Sequence, residues 1–360
     1  MTSTNISFLN PVELNEAAAM VEAYGERITL VLKGEPGIGK STVLKALKEK
    51  HGDKYDYIYV DCPVLDMSDI GMRIPNHDTR GLEFYASSLF KLDSNKPKLI
   101  MLDELMKSPK LLQIIFTRMM LERTLGDLPL PAGSIVFATS NNSSDGVGDA
   151  MLAHAGNRVM MVNVRKPNAN RWLVWASDNN ISPEIRACVA MNPRLLASYL
   201  DGGQDDNPYI FNPSRKELSF VTNRSLAASD IVVKQRDKMG DGVTQAALAG
   251  VIGAPAAQLL AAFMSLAKEL VSVKAVIADP ENVAIPEKPA ALFMMMFNAI
   301  DTIETQDDLS AFMQFVNRIK SSEIQSVFFT MLLQSKRTVR LAKNNKQVME
   351  WAKGNYELLI

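Results

Sequence analysis

The feature that most constrains this chain is a run of nine residues, Gly34, Glu35, Pro36, Gly37, Ile38, Gly39, Lys40, Ser41 and Thr42. It fits the pattern G-x-x-x-x-G-K-[ST]. A short apolar run, residues 28–32, precedes it, and a helical stretch, residues 41–50, follows. That is the strand–loop–helix context in which the pattern works. Glycines let consecutive backbone N–H groups turn inward around anionic oxygens. The pattern therefore predicts a phosphate-binding loop formed by all nine residues. Lys40 would reach the β- and γ-phosphates of a nucleotide, and the Ser41 hydroxyl would ligate Mg²⁺. The helix that follows would aim its positive end at the same phosphates.

A second run, Leu99-Ile100-Met101-Leu102-Asp103-Glu104, is four apolar residues ending in two carboxylates. A buried strand would deliver Asp103 to the Mg²⁺ site and set Glu104 beside it to polarise a water. After the next apolar run, Asn141 closes Ala138-Thr139-Ser140-Asn141, where its amide can position that water. Arg158 precedes the fifth apolar run, where it can reach a neighbouring subunit's γ-phosphate. Arg224, in Thr222-Asn223-Arg224-Ser225, opens a later helix and can contact the phosphates in cis.

Apolar runs at 28–32, 57–60, 99–102, 134–138 and 159–164 are strand length and mostly separated by helical stretches. That alternation predicts an α/β unit with a central parallel sheet covered on both faces. Beyond residue 166 the periodicity turns helical at 170–178, 184–190 and 193–200, pauses over the polar stretch 201–214, and resumes at 224–235. Residues 240–360 read as helices interrupted at 279–289. The expected organisation is a nucleotide-binding domain over 1–166, a helical lid over 167–238 and a helical C-terminal region over 239–360.

Composition narrows the alternatives. With 360 residues, of which 47% are hydrophobic, the chain can bury two or three cores. A net charge of −1 supplies no global field toward nucleic acid or anionic lipid. Two cysteines, Cys62 and Cys188, point to a reducing compartment. No signal peptide is apparent, so a cytoplasmic location is expected. Residues 242–267 carry no charge, yet Gly250, Gly253, Pro255 and two glutamines break the run. Two packed helices, the second opened by Pro255, are expected there rather than a membrane span. The three histidines show no ligand spacing, so Mg²⁺ is the only metal expected. Met294, Met295 and Met296, like Trp172 and Trp175, are expected to pack in a core.

Taken in order, these parts resemble the AAA+ superfamily of ATPases, and within it the MoxR/CbbQ-like branch of small bacterial and phage proteins. The resemblance rests on residues 34–42, Leu102-Asp103-Glu104-Leu105, Ala138-Thr139-Ser140-Asn141, Asp145-Gly146-Val147-Gly148-Asp149, Asn157-Arg158-Val159, and Trp172 with Trp175-Ala176. It covers roughly residues 10–235 and continues more loosely through Gly253-Ala254-Pro255 and Ala278-Asp279-Pro280. It implies an α/β P-loop AAA+ sandwich followed by a helical lid and a helical C-terminal region. It also implies a homo-oligomeric ring, usually hexameric, with ATP and Mg²⁺ between subunits. In such a ring Asn141 would be sensor 1, Arg158 the arginine finger in trans, and Arg224 sensor 2. Partners with a von Willebrand A-type domain, or another client protein to remodel, would be expected. Many relatives place an acidic residue before the finger arginine, where this chain has Asn157. A bacterial cytoplasm, or a phage-encoded origin, fits the resemblance.

Three other functions compete with a remodelling ATPase. A small-molecule kinase would need an acceptor pocket and no arginine from a neighbour. A DNA-handling motor or loader would need a basic stripe, and the run at 335–346 is more simply a solvated helix face. A nucleotide-gated scaffold would not need Glu104. Residues 63–95, with Pro63, Gly71 and Pro75, are expected to carry loops that contact a substrate.

Overall fold

The computed structural model describes residues 10–142, 157–215 and 217–355. The chain forms two compact units, Met1–Lys166 and Pro167–Ile360.

The first unit carries strands β1 (Leu30–Lys33), β2 (Asp56–Asp61), β3 (Gly71–Asn76), β4 (Gly81–Ala86), β5 (Lys98–Asp103), β6 (Thr124–Leu125), β7 (Leu128–Pro129), β8 (Ile135–Ser140) and β9 (Met160–Asn163). Five of them make one sheet in the order β2-β5-β8-β1-β9, every pair parallel. Parallel neighbours need crossovers. Helix α2 (Thr42–His51) lies on the path from β1 to β2, and α3 (Lys110–Glu122) on the path from β5 to β8. All six residues of β5 and of β8 are buried, the signature of strands covered on both faces. The fold is therefore α/β with a central parallel sheet, and a helical region follows it.

The five sheet strands fall within two residues of where the apolar runs place them. Three elements are additional. Helix α1 (Leu14–Tyr24) buries Ala17 and Val21 against the sheet and α2. The pairs β3–β4 and β6–β7 are antiparallel hairpins. The first falls where only loops were expected. One of its faces is closed by Phe84, whose ring Arg73 covers while pairing with Asp127 at 2.7 Å. Its other face leaves Met72, Ile74 and Tyr85 exposed.

One charge is buried at the start of the sheet. Lys98 has 0% side-chain exposure, and its Nζ donates to Asp56 Oδ2 at 2.7 Å and to the Ser94 carbonyl at 3.0 Å. The Lys98 ammonium holds the Asp56 carboxyl below its usual range. A depressed carboxylate adds stability that is present above its unfolded pKa and lost as pH falls through the folded one. Asp56→Asn should cost about 2–3 kcal/mol at pH 7, the worth of a hydrogen bond to a charge. The gap from wild type in urea midpoint should narrow on acidification below about pH 4.

The second unit is helical. One hydrophobic cluster runs through it from Ala169 to Val348, including Leu226 and Val233 before residue 238 and Leu248 and Ile252 after it. Its centre is the helix Pro289–Thr302, apolar on every side. Met294, Met295 and Met296 lie there at 0–1% exposure. Trp172 is also buried, whereas Trp175 is 45% exposed, so only one of the pair is a core residue. The stretch 193–200 is not an α-helix. Pro193 opens a single 3₁₀ turn, Pro193–Leu196, and Ala197 is extended. Helices Asp241–Ile252 and Ala254–Ala267 meet at Gly253, whose φ of 82° makes the break. Among the described residues no helix is long and apolar enough to cross a membrane. Arg186 is fully buried, paired with Asp301 and lying over the Phe297 ring. Arg337, from the basic run, reaches the same Asp301 at 3.3 Å, so this member of the run is structural.

Candidate functional site

The first unit gathers one group of polar residues at the carboxyl ends of three adjacent strands, β1, β8 and β5. Strand β1 lies between β8 and β9, while the chain's next sheet strand, β2, is at the far edge. Such a reversal of strand order opens a crevice outside the strand ends.

Residues 34–41 leave β1 as a loop without regular structure and enter α2. Gly34 has no room for a side chain. A Cβ there would come within 2.8 Å of the Val164 carbonyl oxygen and 2.6 Å of Ile38 Cδ1. Gly39 has φ of +103°, which a side chain would disfavour. Glu35 is buried, with Lys166 at 3.9 Å, so its carboxylate faces a cation inside the unit.

Lys40 is 7% exposed. Its ammonium donates to the Gly34 carbonyl at 2.8 Å, the Glu35 carbonyl at 2.9 Å and Asn141 Oδ1 at 3.0 Å. The same contact places Asn141, at the end of β8, against the loop. Ser41 stands at the N-cap of α2, yet its side chain does not cap the helix. Its hydroxyl donates to Asp103 Oδ2 at 3.3 Å instead. Thr42 Oγ1 turns back onto the Gly39 carbonyl at 2.7 Å.

Asp103, 8% exposed at the end of β5, is held on both oxygens. Thr139 Oγ1 donates to Oδ1, and the Tyr59 phenol donates to Oδ2 at 2.8 Å. Thr139 Oγ1 also accepts the Glu104 N–H at 3.2 Å, tying β8 to the residue after β5. Glu104 has φ of 50° and ψ of 38°, a left-handed conformation uncommon outside glycine and often stored at functional sites. Its carboxylate is 37% exposed and pairs with Lys107 at 2.5 Å.

The donor set suits a hard divalent cation. Ser41 Oγ and Asp103 Oδ2 are oxygens 3.3 Å apart, near the ~3 Å edge of an octahedron of oxygens at about 2.1 Å. Beside them the Lys40 ammonium and the start of α2 offer positive potential to phosphate.

The structure thus brings two hydrogen-bonded groups together on consecutive loop residues, Lys40 with Asn141 and Ser41 with Asp103, and Glu104 joins the second through its own N–H to Thr139. Arg158 is exposed, two residues before β9, and Arg224 is exposed in the first turn of Asn223–Lys234 in the second unit. Among the described residues, neither bonds to either group. The stretch Asp145-Gly146-Val147-Gly148-Asp149 and His154 lie outside the described residues. Four contributors carried no assigned role in the sequence: Tyr59, Lys107, Thr139 and Lys166. Thr139 sits inside a recognised motif, and Lys107 lies three residues after Glu104, so local signals for both existed. Tyr59 reaches Asp103 only because β2 and β5 are neighbours.

No protein-family profile matches the chain, and no curated protein does. Solved structures are similar to it at a distance. A candidate ATPase from Cytophaga hutchinsonii is 15% identical over 96% of this chain and 90% of its own length, with a TM-score of 0.34. NtrX from Brucella abortus, in complex with ADP, is 14% identical over 96% of this chain and 68% of its own, with a TM-score of 0.38. The ATP complex of NtrX is 12% identical over 98% and 70%, with a TM-score of 0.38. Likenesses this distant leave the chemistry to the geometry of the site.

Proposed function

We propose that this chain is a Mg²⁺-dependent ATPase of the AAA+ superfamily that hydrolyses ATP to ADP and phosphate. The supporting observation is the convergence of Lys40, Ser41, Asp103 and Asn141 at the ends of β1, β5 and β8. Lys40 and the loop N–H groups hold the β- and γ-phosphates, exchanging loop carbonyls for phosphate oxygens at the ammonium. Ser41 and Asp103 are the residues that would hold Mg²⁺. When bound, Mg²⁺ neutralises phosphate charge as it develops in the transition state. Glu104 takes a proton from the attacking water while the bond between the γ-phosphorus and the bridging oxygen breaks. Asn141 orients that water from the side of the γ-phosphate.

In this proposal the chain assembles as a ring, and Arg158 of one subunit completes the site of the next. Arg224 contacts the phosphates in cis. The ring serves to remodel or activate a partner protein, in the manner of MoxR-like ATPases, and the exposed β3–β4 hairpin is the segment proposed to meet the client.

The test of assembly is turnover per subunit against protein concentration, with mass measured in ADP and in ATP. Turnover should rise as the ring forms. Arg158→Ala should retain nucleotide and lose about 10³-fold or more in turnover, the range for an arginine finger. Turnover per subunit that is constant on dilution and indifferent to Arg158 would remove the ring from the proposal.

A further inference from the structure

We infer that Tyr59 is a positioning residue for Asp103 and sets how tightly the site takes its divalent cation, an inference that rests on the proposed metal role of Ser41 and Asp103. Tyr59 lies on β2, opposite Met101 in register, and Asp61 is opposite Asp103. In parallel strands so aligned, Tyr59 and Asp103 share one face of the sheet. The phenol therefore reaches along that face to Asp103 Oδ2 at 2.8 Å.

The ring is 47% exposed, so water could satisfy the hydroxyl without this contact. The contact orders an exposed side chain, and its effect is on the carboxylate. Rotation of an aspartate carboxylate about its last torsion is soft. Thr139 fixes Oδ1 from the buried side, and Tyr59 fixes Oδ2 from the open side. Oδ2 is also the oxygen that faces Ser41. Two hydroxyl donors from different strands thus hold the carboxylate plane with Oδ2 turned to the serine. Groups that orient a metal-binding carboxylate in this way typically alter metal affinity 10- to 100-fold when removed.

The experiment compares the full chain with Tyr59→Phe, which deletes one hydroxyl from a half-exposed ring. Affinity for a fluorescent ATP analogue is followed as Mg²⁺ is titrated from zero, and Mn²⁺ binding in the presence of ADP is followed by electron paramagnetic resonance. The Mg²⁺ midpoint should rise about tenfold, with a matching loss of Mn²⁺ affinity. Nucleotide affinity without metal should stay within about twofold, because the deleted hydroxyl acts on the Asp103 carboxylate; a packing defect would lower both. If wild type responds to Mg²⁺ and Tyr59→Phe follows the same curve, the positioning role is overturned while the proposed ATPase stands. If wild type binds no nucleotide, the proposed function fails and this inference with it.

Discussion

Lys40→Ala should bind ATP at least 10- to 100-fold more weakly than wild type and release no measurable phosphate. Lys40 is 7% exposed, and its ammonium donates to two loop carbonyls and to Asn141. It therefore does two things. It places a full positive charge where the phosphate oxygens would arrive, and it ties the loop to the end of β8. One hydrogen bond to a charged group is worth roughly 1.5–3 kcal/mol, which converts to the stated loss of affinity. The loss of turnover is larger, because charge on the γ-phosphoryl oxygens grows toward the transition state and the lysine acts on it there. Lys40 takes no part in the strand ladders, so the circular dichroism of the variant should match wild type. Isothermal titration with ATP and a phosphate-release assay read the two losses separately.

Glu104→Gln should have the opposite signature, with ATP bound and held but hydrolysis slowed by about 10²- to 10⁴-fold. Glutamine keeps the shape of the side chain and cannot accept the proton of the attacking water. The backbone N–H of residue 104 still donates to Thr139, so the placement of Asp103 survives the change. The pair with Lys107 is lost, but a pair this exposed contributes only about 0–1 kcal/mol. Single-turnover assays separate the step. Bound ATP should persist on Glu104→Gln over the time in which wild type converts it to ADP. A variant that turns over at the wild-type rate would remove Glu104 from the chemistry.

What could be read from the chain before folding follows the range of the forces involved. The loop of residues 34–42 is visible because Gly37 and Gly39 serve a local need, a positive φ, within a fixed spacing, even though Gly34 also answers the distant Val164. Asp103 and Glu104 are visible because β5 is buried on both faces and so is apolar until the carboxylates end it. The β3–β4 hairpin was hidden for a converse reason. Pro75 lies inside β3, where proline argues against a strand, and the alternation in Met72-Arg73-Ile74 and Leu82-Glu83-Phe84 is only three residues long on each side. Residues 193–200 imitated a helix through Leu195 and Leu196, which are buried from a 3₁₀ turn. Tyr59 and Lys166 could not be seen at all. Their partners lie 44 residues away in one case, through a strand order that no local pattern encodes, and far along the chain at Glu35 in the other.

Phosphate release from ATP by the full wild-type chain, with Mg²⁺ and with Mg²⁺ chelated, tests the central proposal most directly. The site described here predicts steady release of phosphate and ADP in equal amounts with Mg²⁺, and none above background once it is chelated. Tight nucleotide binding without any release, or release that ignores the metal, would contradict it.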